Sequence, residues 1–319
     1  VDAGSFNLTE GASLTASTFG EGNAGSVTVK AKDTVSLTDA NIFSRVQAGG
    51  VGNGGNITVD AGSFNLTEGA ELTASTFGEG KAGSVTVKAK DTVSLTDANI
   101  FSTVQAGGVG DGGNITVDAG SFNLTEGASL TASTFGEGNA GSVTVKAKDT
   151  VSLTDANIFS RVQAGGVGNG GNITVDAGSF NLTEGAELTA STFGKGKAGS
   201  VTVTANDTVS LTDANIFSTV QAGGVGDEGN IEINAANLTL RDSAQLQTIT
   251  RGASGSQGFP YRPGDAVPSV YSTVGVQSVT NSISEKPRRR WKIGDPIVEP
   301  SGVYRLENGQ RILSRECSR

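Results

Sequence analysis

The chain has 319 residues with 47 Gly, no His, no Met, a single Cys, 5% aromatic residues and a formal net charge of −9. The lack of His excludes Ser-His-Asp triads and His-based metal sites, and the lone Cys317 excludes an intramolecular disulfide framework. A composition dominated by Val, Ile, Leu, Thr, Ser, Asn and Gly suits a thin core, and although length alone would allow two domains, internal repetition argues for one solenoid and an appended tail.

From Val1 to Glu232 the chain consists of four copies of a 58-residue unit. The first and third copies, Val1 to Thr58 and Val117 to Thr174, are identical. The second differs at Glu71, Lys81, Thr103 and Asp111, and the fourth follows the second apart from five changes of its own, so the order is ABAB. Such duplication suits a structure whose useful property is its length.

Each unit divides again into two coils of 28 to 30 residues, aligning Phe64-Asn65-Leu66 with Val93-Ser94-Leu95, Leu72-Thr73-Ala74 with Ile100-Phe101-Ser102, and Gly83-Ser84 with Gly113-Asn114. Three short runs per coil alternate with period 2, Ile57, Val59 and Ala61 facing one way and Thr58 and Asp60 the other. Corners fall at Gly62, Glu68-Gly69 and Gly78 to Gly83, where positive φ is expected. The fold class this predicts is all-β: a parallel β-solenoid of three-faced coils.

One coil buries about six apolar side chains at roughly 1.5–3 kcal/mol each. Ordering its nearly thirty residues costs about 1 kcal/mol or more per residue. A single coil therefore does not fold alone, and stacking at about 4.8 Å supplies the rest, giving a rod on the order of 40 Å long for eight or nine coils. At one corner Asn56, Ser84, Asn114 and Ser142 are expected to form a polar ladder.

The array starts within a strand motif at Val1 and lacks Met, which reads as part of a longer chain with an open strand edge. The last coil, starting at Ile231, keeps Ile231, Ile233, Leu238, Leu240 and Leu246 inward but brings in Glu232, Arg241, Gln245 and Gln247, as a solenoid end would. Residues 251–285 read as an irregular linker with Pro260, Pro263 and Pro268. Residues 286–319 hold the basic run Lys286, Arg288, Arg289, Arg290, Trp291 and Lys292 and then two alternating segments around Asn308-Gly309, a hairpin signal. The tail after Thr250 has 11 Lys/Arg against 6 Asp/Glu (+5), and the array 12 against 26 (−14).

The GNITVDAGSFNLTEGA and GSVTVKAKDTVSLTDANI coils, followed by WKIGDPIVEPSGVYRLENGQRILSREC, resemble the C-terminal part of filamentous-haemagglutinin-like large exoproteins of the two-partner secretion type, as found in cyanobacteria. The resemblance spans nearly the whole chain, with the tail its more discriminating part. It implies a secreted or cell-surface protein, exported through an outer-membrane β-barrel transporter and acting as an adhesin stalk or fibre. The partners it implies are that transporter and cell-surface polysaccharide or neighbouring cells. The family's N-terminal secretion domain has no counterpart here.

Other motifs favour plainer readings. Gly50 to Gly55 fits GxGxxG but leads into a strand, so it reads as a flexible corner. Gly107 to Asp111 resembles a calcium-binding nonapeptide with a misplaced Asp, and the recurring Asn-x-Thr sequons read as strand and corner residues. The Asp33 and Asp39 pair recurs in every unit without a unique partner, so a carbohydrate-active β-helix enzyme is the weaker alternative, with no catalytic, cofactor or metal residue assigned.

Two sites carry the binding expectations. Phe43, Phe101, Phe159 and Phe217 are expected to point outward in a row two coils apart, either as a lateral contact stripe or covered by the Gly-rich loop after Gln105. The basic run around Trp291 suits an anionic partner such as the rod's own acidic flank or envelope polysaccharide, not nucleic acid. Self-association, end to end or lateral, in a filament or surface layer is the rival to the adhesin stalk.

Overall fold

A computed structural model describes residues 1–249, 302–305 and 311–314. The array is a parallel β-solenoid whose three sheets each contain nine strands, one per coil. In a central coil the strands are Val85–Ala89, Thr92–Thr96 and Asn99–Phe101. Each pairs in parallel with its equivalents in the coils before and after, Val85 with Ile57 and Ile115, Val93 with Phe64 and Phe122, and Ile100 with Leu72 and Leu130.

The coil length alternates because the corners differ. Between the first and second strands the odd coils have Gly62 alone, and the even coils have Lys90-Asp91. The odd coils recover that residue at the next corner, with Glu68-Gly69-Ala70 against Asp97-Ala98. The remaining two residues come from the long third corner, 74–84 in odd coils and 102–114 in even ones.

Positive φ occurs at Glu68 (54°), Gly69 (76°) and Gly80 (130°), but not at Gly62, contrary to the sequence expectation. Gly62 is needed for closeness instead: a Cβ there would lie 2.4 Å from the Asp33 carbonyl oxygen of the preceding coil. Nor is the Gly50 to Gly55 corner a loose one, because the Gly52 and Gly54 N–H groups donate to the Glu79 and Lys81 carbonyls, both at 2.8 Å. Its glycines let successive backbones stack directly, and an added Cβ at Gly52 or Gly55 would meet the preceding coil at 2.1–2.2 Å.

The core runs the length of the array. Val85, Val87, Ala89, Val93, Leu95, Ala98, Ile100 and Val104 are all buried in one coil. One axial column alternates large and small, Phe64, Val93, Phe122, Val151, Phe180 and Val209, while its neighbour is Leu throughout. Alternation lets adjacent layers interdigitate at constant volume. In the last coil Ile231 and Ile233 are buried, but Leu240 is 45% exposed.

The expected corner ladder is present. Ser84 N–H donates to Asn56 Oδ1 (2.8 Å), Asn114 N–H to Ser84 Oγ (3.1 Å), and Ser142 N–H to Asn114 Oδ1 (2.8 Å). A second polar device lies inside: buried Ser102 Oγ donates to the Gly83 carbonyl at 2.7 Å, and Ser44, Ser160 and Ser218 repeat the contact. Ser102→Ala leaves that carbonyl buried and short of a partner, so urea unfolding should show a loss of about 1–2 kcal/mol.

The chain divides into two compact units, Val1–Thr280 and Asn281–Arg319. In the second, Gly302–Arg305 and Arg311–Ser314 pair antiparallel, with Arg305 opposite Arg311. This agrees with the expected hairpin, although the residues around Asn308-Gly309 lie outside the described ones.

Candidate functional site

The outward residues of the third sheet and the corner after it form three axial columns. The first is Phe43, Thr73, Phe101, Thr131, Phe159, Thr189 and Phe217, placed side by side by strand register. The four phenylalanines expected to point outward do so and are half-buried, while the threonines between them are sunk almost completely. The second column holds Arg45, Ser75, Thr103, Ser133, Arg161, Ser191 and Thr219, tied by bonds such as Thr103 N–H to Ser75 Oγ at 3.0 Å.

The third column was not anticipated. Axial bridges linking Thr76, Val104, Thr134, Val162 and Thr192 place Phe77, Gln105, Phe135, Gln163 and Phe193 in line. These phenylalanines follow a Thr and precede a Gly, so they read as turn residues in the sequence. Period-2 alternation through Ser75 and Thr76 was the available signal, because it carries the strand direction past the end of the third strand.

Arginine joins the two aromatic columns. The Arg45 guanidinium carbon is 3.6 Å from the Phe43 ring centroid and 6.0 Å from that of Phe77, and Arg161 lies 3.5 and 5.8 Å from Phe159 and Phe193. Burial pushes the pKa of both guanidiniums below the ordinary value, while Glu71 and Glu187 pull it back up. Arg161 Nη1 is 4.0 Å from Glu187 Oε1, whose carboxylate also accepts from Thr189 Oγ1.

These contacts link the residues that distinguish A from B. Arg45 and Glu71 meet where an A unit precedes a B unit, as Arg161 and Glu187 do. Within each B unit Lys81 Nζ lies 3.5 Å from Asp111 Oδ2 and Lys197 Nζ 3.3 Å from Asp227 Oδ2. All four positions that distinguish A from B therefore belong to charge pairs between coils.

Asp111 is held below the usual carboxylate range, first by the Asn139 N–H bonded to its Oδ1 at 3.1 Å and then by Lys81. A depressed folded-state pKa stabilises above the unfolded-chain value near 4, and the gain disappears as pH falls through the lower folded value. Both charged groups are well exposed, 70% for Lys81 and 42% for Asp111, so the effect is small. Asp111→Ala should cost less than about 1 kcal/mol at pH 7, and its urea midpoint should converge on the parent's on titration below about pH 4. With these partners Asp111 is engaged within the solenoid.

The Asp33 and Asp39 pair is separated by the strand Thr34–Thr38, which puts its members about 20 Å apart along the chain, beyond the reach of two cooperating carboxylates. Among the described residues no group of three or more His, Cys, Asp or Glu could hold a metal ion. The basic run Lys286, Arg288, Arg289, Arg290, Trp291 and Lys292, the linker 251–285 and Cys317 lie outside the described residues.

Fold and outer faces together define a parallel β-solenoid repeat protein. No family model matches the chain, and neither a curated protein nor a solved structure does.

Proposed function

We propose that the chain is an extended structural element, the stalk or fibre portion of a filamentous-haemagglutinin-like adhesin held on the outside of the cell. The observation that carries the reading is the recurrence of nearly the same outward face coil after coil, which suits reach and multivalent contact better than one unique reacting centre. The tail segment WKIGDPIVEPSGVYRLENGQRILSREC supports the placement in that exoprotein class by resemblance. On this reading the protein is not an enzyme, needs no cofactor, leaves the cell through an outer-membrane transporter and meets envelope polysaccharide or neighbouring cells.

Labelling cells that produce the protein with an antibody to the repeat unit tests the location. Signal on intact, unpermeabilised cells is expected. Signal that requires permeabilisation would overturn the extracellular assignment.

A further inference from the structure

Of the twelve phenylalanines in the described residues, Phe6, Phe64, Phe122 and Phe180 line the interior, and the other eight lie on one flank. Phe19 and Phe135, 76% and 36% exposed, are the most open of the eight. Val51, Val109, Val167 and Val225, each 44–47% exposed, form a separate axial row past the turn that follows the third column, where the Gly108 N–H donates to the Gln105 carbonyl. A continuous apolar stripe of this kind marks a contact surface.

We propose that this flank is a lateral interface between two copies of the chain, related by a two-fold axis. Column shape selects the partner. Phe alternates with a sunken Thr in the first column and with Gln in the third, and the two columns are one coil out of phase. An antiparallel facing copy offset by one coil brings each first-column ring opposite a sunken Thr and each third-column ring opposite a Gln, and the interval of two coils, about 9.6 Å, matches by construction. Another partner would have to reproduce that interval over the whole length.

Charge agrees with this choice. The array is strongly acidic, but Arg45 and Arg161 are offset by Glu71 and Glu187 between the aromatic columns, so two rods can approach here. In the row past the turn Glu79 and Glu137 alternate with Val109 and Val167, and Lys195 takes the same place in the fourth unit. The Arg-on-Phe stacks add the residue types enriched at interface centres.

Eight coils about 4.8 Å apart, with roughly 13 Å between columns, give on the order of 500 Å² per copy. That lies at the lower edge of specific interfaces and implies a weak, reversible dimer. Added salt should strengthen it, since it screens these glutamates and the net charge while apolar contacts persist.

Sedimentation equilibrium of the full chain at up to about 100 µM detects a micromolar Kd. The expected result is a mass rising with concentration toward twice 32.0 kDa, and further with added salt. A fixed monomer mass would overturn the proposal. The double variant Phe101→Ser/Phe135→Ser, with β circular dichroism like the parent's, should remain monomeric, while Ser94→Lys on the second sheet's outer face should dimerise as the parent does. A folded Phe variant that still dimerises, or a dimer lost through Ser94→Lys instead, would place the contact elsewhere and overturn it. Since these outcomes do not depend on cellular location, they leave the surface-stalk reading to its own test.

Discussion

Gly110→Ala is expected to disrupt the stacking of the central coils and cost about 3 kcal/mol or more. Gly110 has φ +145°, which disfavours any residue with a Cβ. The added atom would also lie 2.1 Å from the Gly80 carbonyl oxygen, inside the backbone of the coil before it. Backbone on both sides of the clash leaves no flexible side chain to yield. The Gly110 N–H bond to the Glu137 carbonyl, 2.8 Å long, would be lost as the coil shifts. Because each coil contacts only its neighbours, a break here separates two shorter arrays, and hydrogen exchange should rise first in the flanking coils. Gly107→Ala is the control: its φ is also positive at +81°, but nothing lies within 4 Å of the new Cβ, so only backbone strain of about 1–2 kcal/mol remains.

Phe122→Ala is expected to lower stability by about 3–5 kcal/mol in urea titrations followed by circular dichroism. Phe122 is fully buried and paired in register with Val93 on one side and Val151 on the other. Backbone ladders fix the spacing of these coils, so the surrounding core cannot collapse into the space left by the ring. Phe6→Ala should cost less, since Phe6 occupies the same column in the first coil and is only partly buried. Phe101→Ala, on the outer flank, should stay within about 0.5–1 kcal/mol of the parent.

Strand placement and inward residues were legible because period 2 is unambiguous in Ile57-Thr58-Val59 and Phe64-Asn65-Leu66, and because aligning the half-units gave the axial register directly. The corner ladder through Asn56, Ser84 and Asn114 was legible for the same reason. Glycine roles were less so. Composition cannot distinguish a glycine that supplies positive φ, such as Gly69, from one such as Gly62 that makes room for the next coil, because the neighbour in space lies nearly thirty residues away.

The aromatic flank was half legible. Phe101 follows a buried Ile within a strand, so its outward direction could be read, whereas Phe77 sits in a segment whose Gly-rich surroundings suggest a turn. Its alignment with Gln105 continues the register of Leu72 with Ile100 through isolated axial bridges, past the point where the Gly-rich surroundings suggest that pairing ends. The stacking of Arg45 and Arg161 was not legible, although Thr103 marks the position as one that distinguishes the units. That difference has a physical source, since Glu71 and Glu187 replace Ser in the next coil and face them.

Deleting residues 59–174 joins Thr58 to Val175 and preserves the A-to-B junction while removing four coils. Small-angle scattering of this variant beside the full chain tests most directly whether the repeat array is modular and built for length. A folded β protein whose array keeps its cross-section and is shorter by about 19 Å is expected. An unfolded variant, or one whose cross-section changes while its length does not, would contradict that modularity.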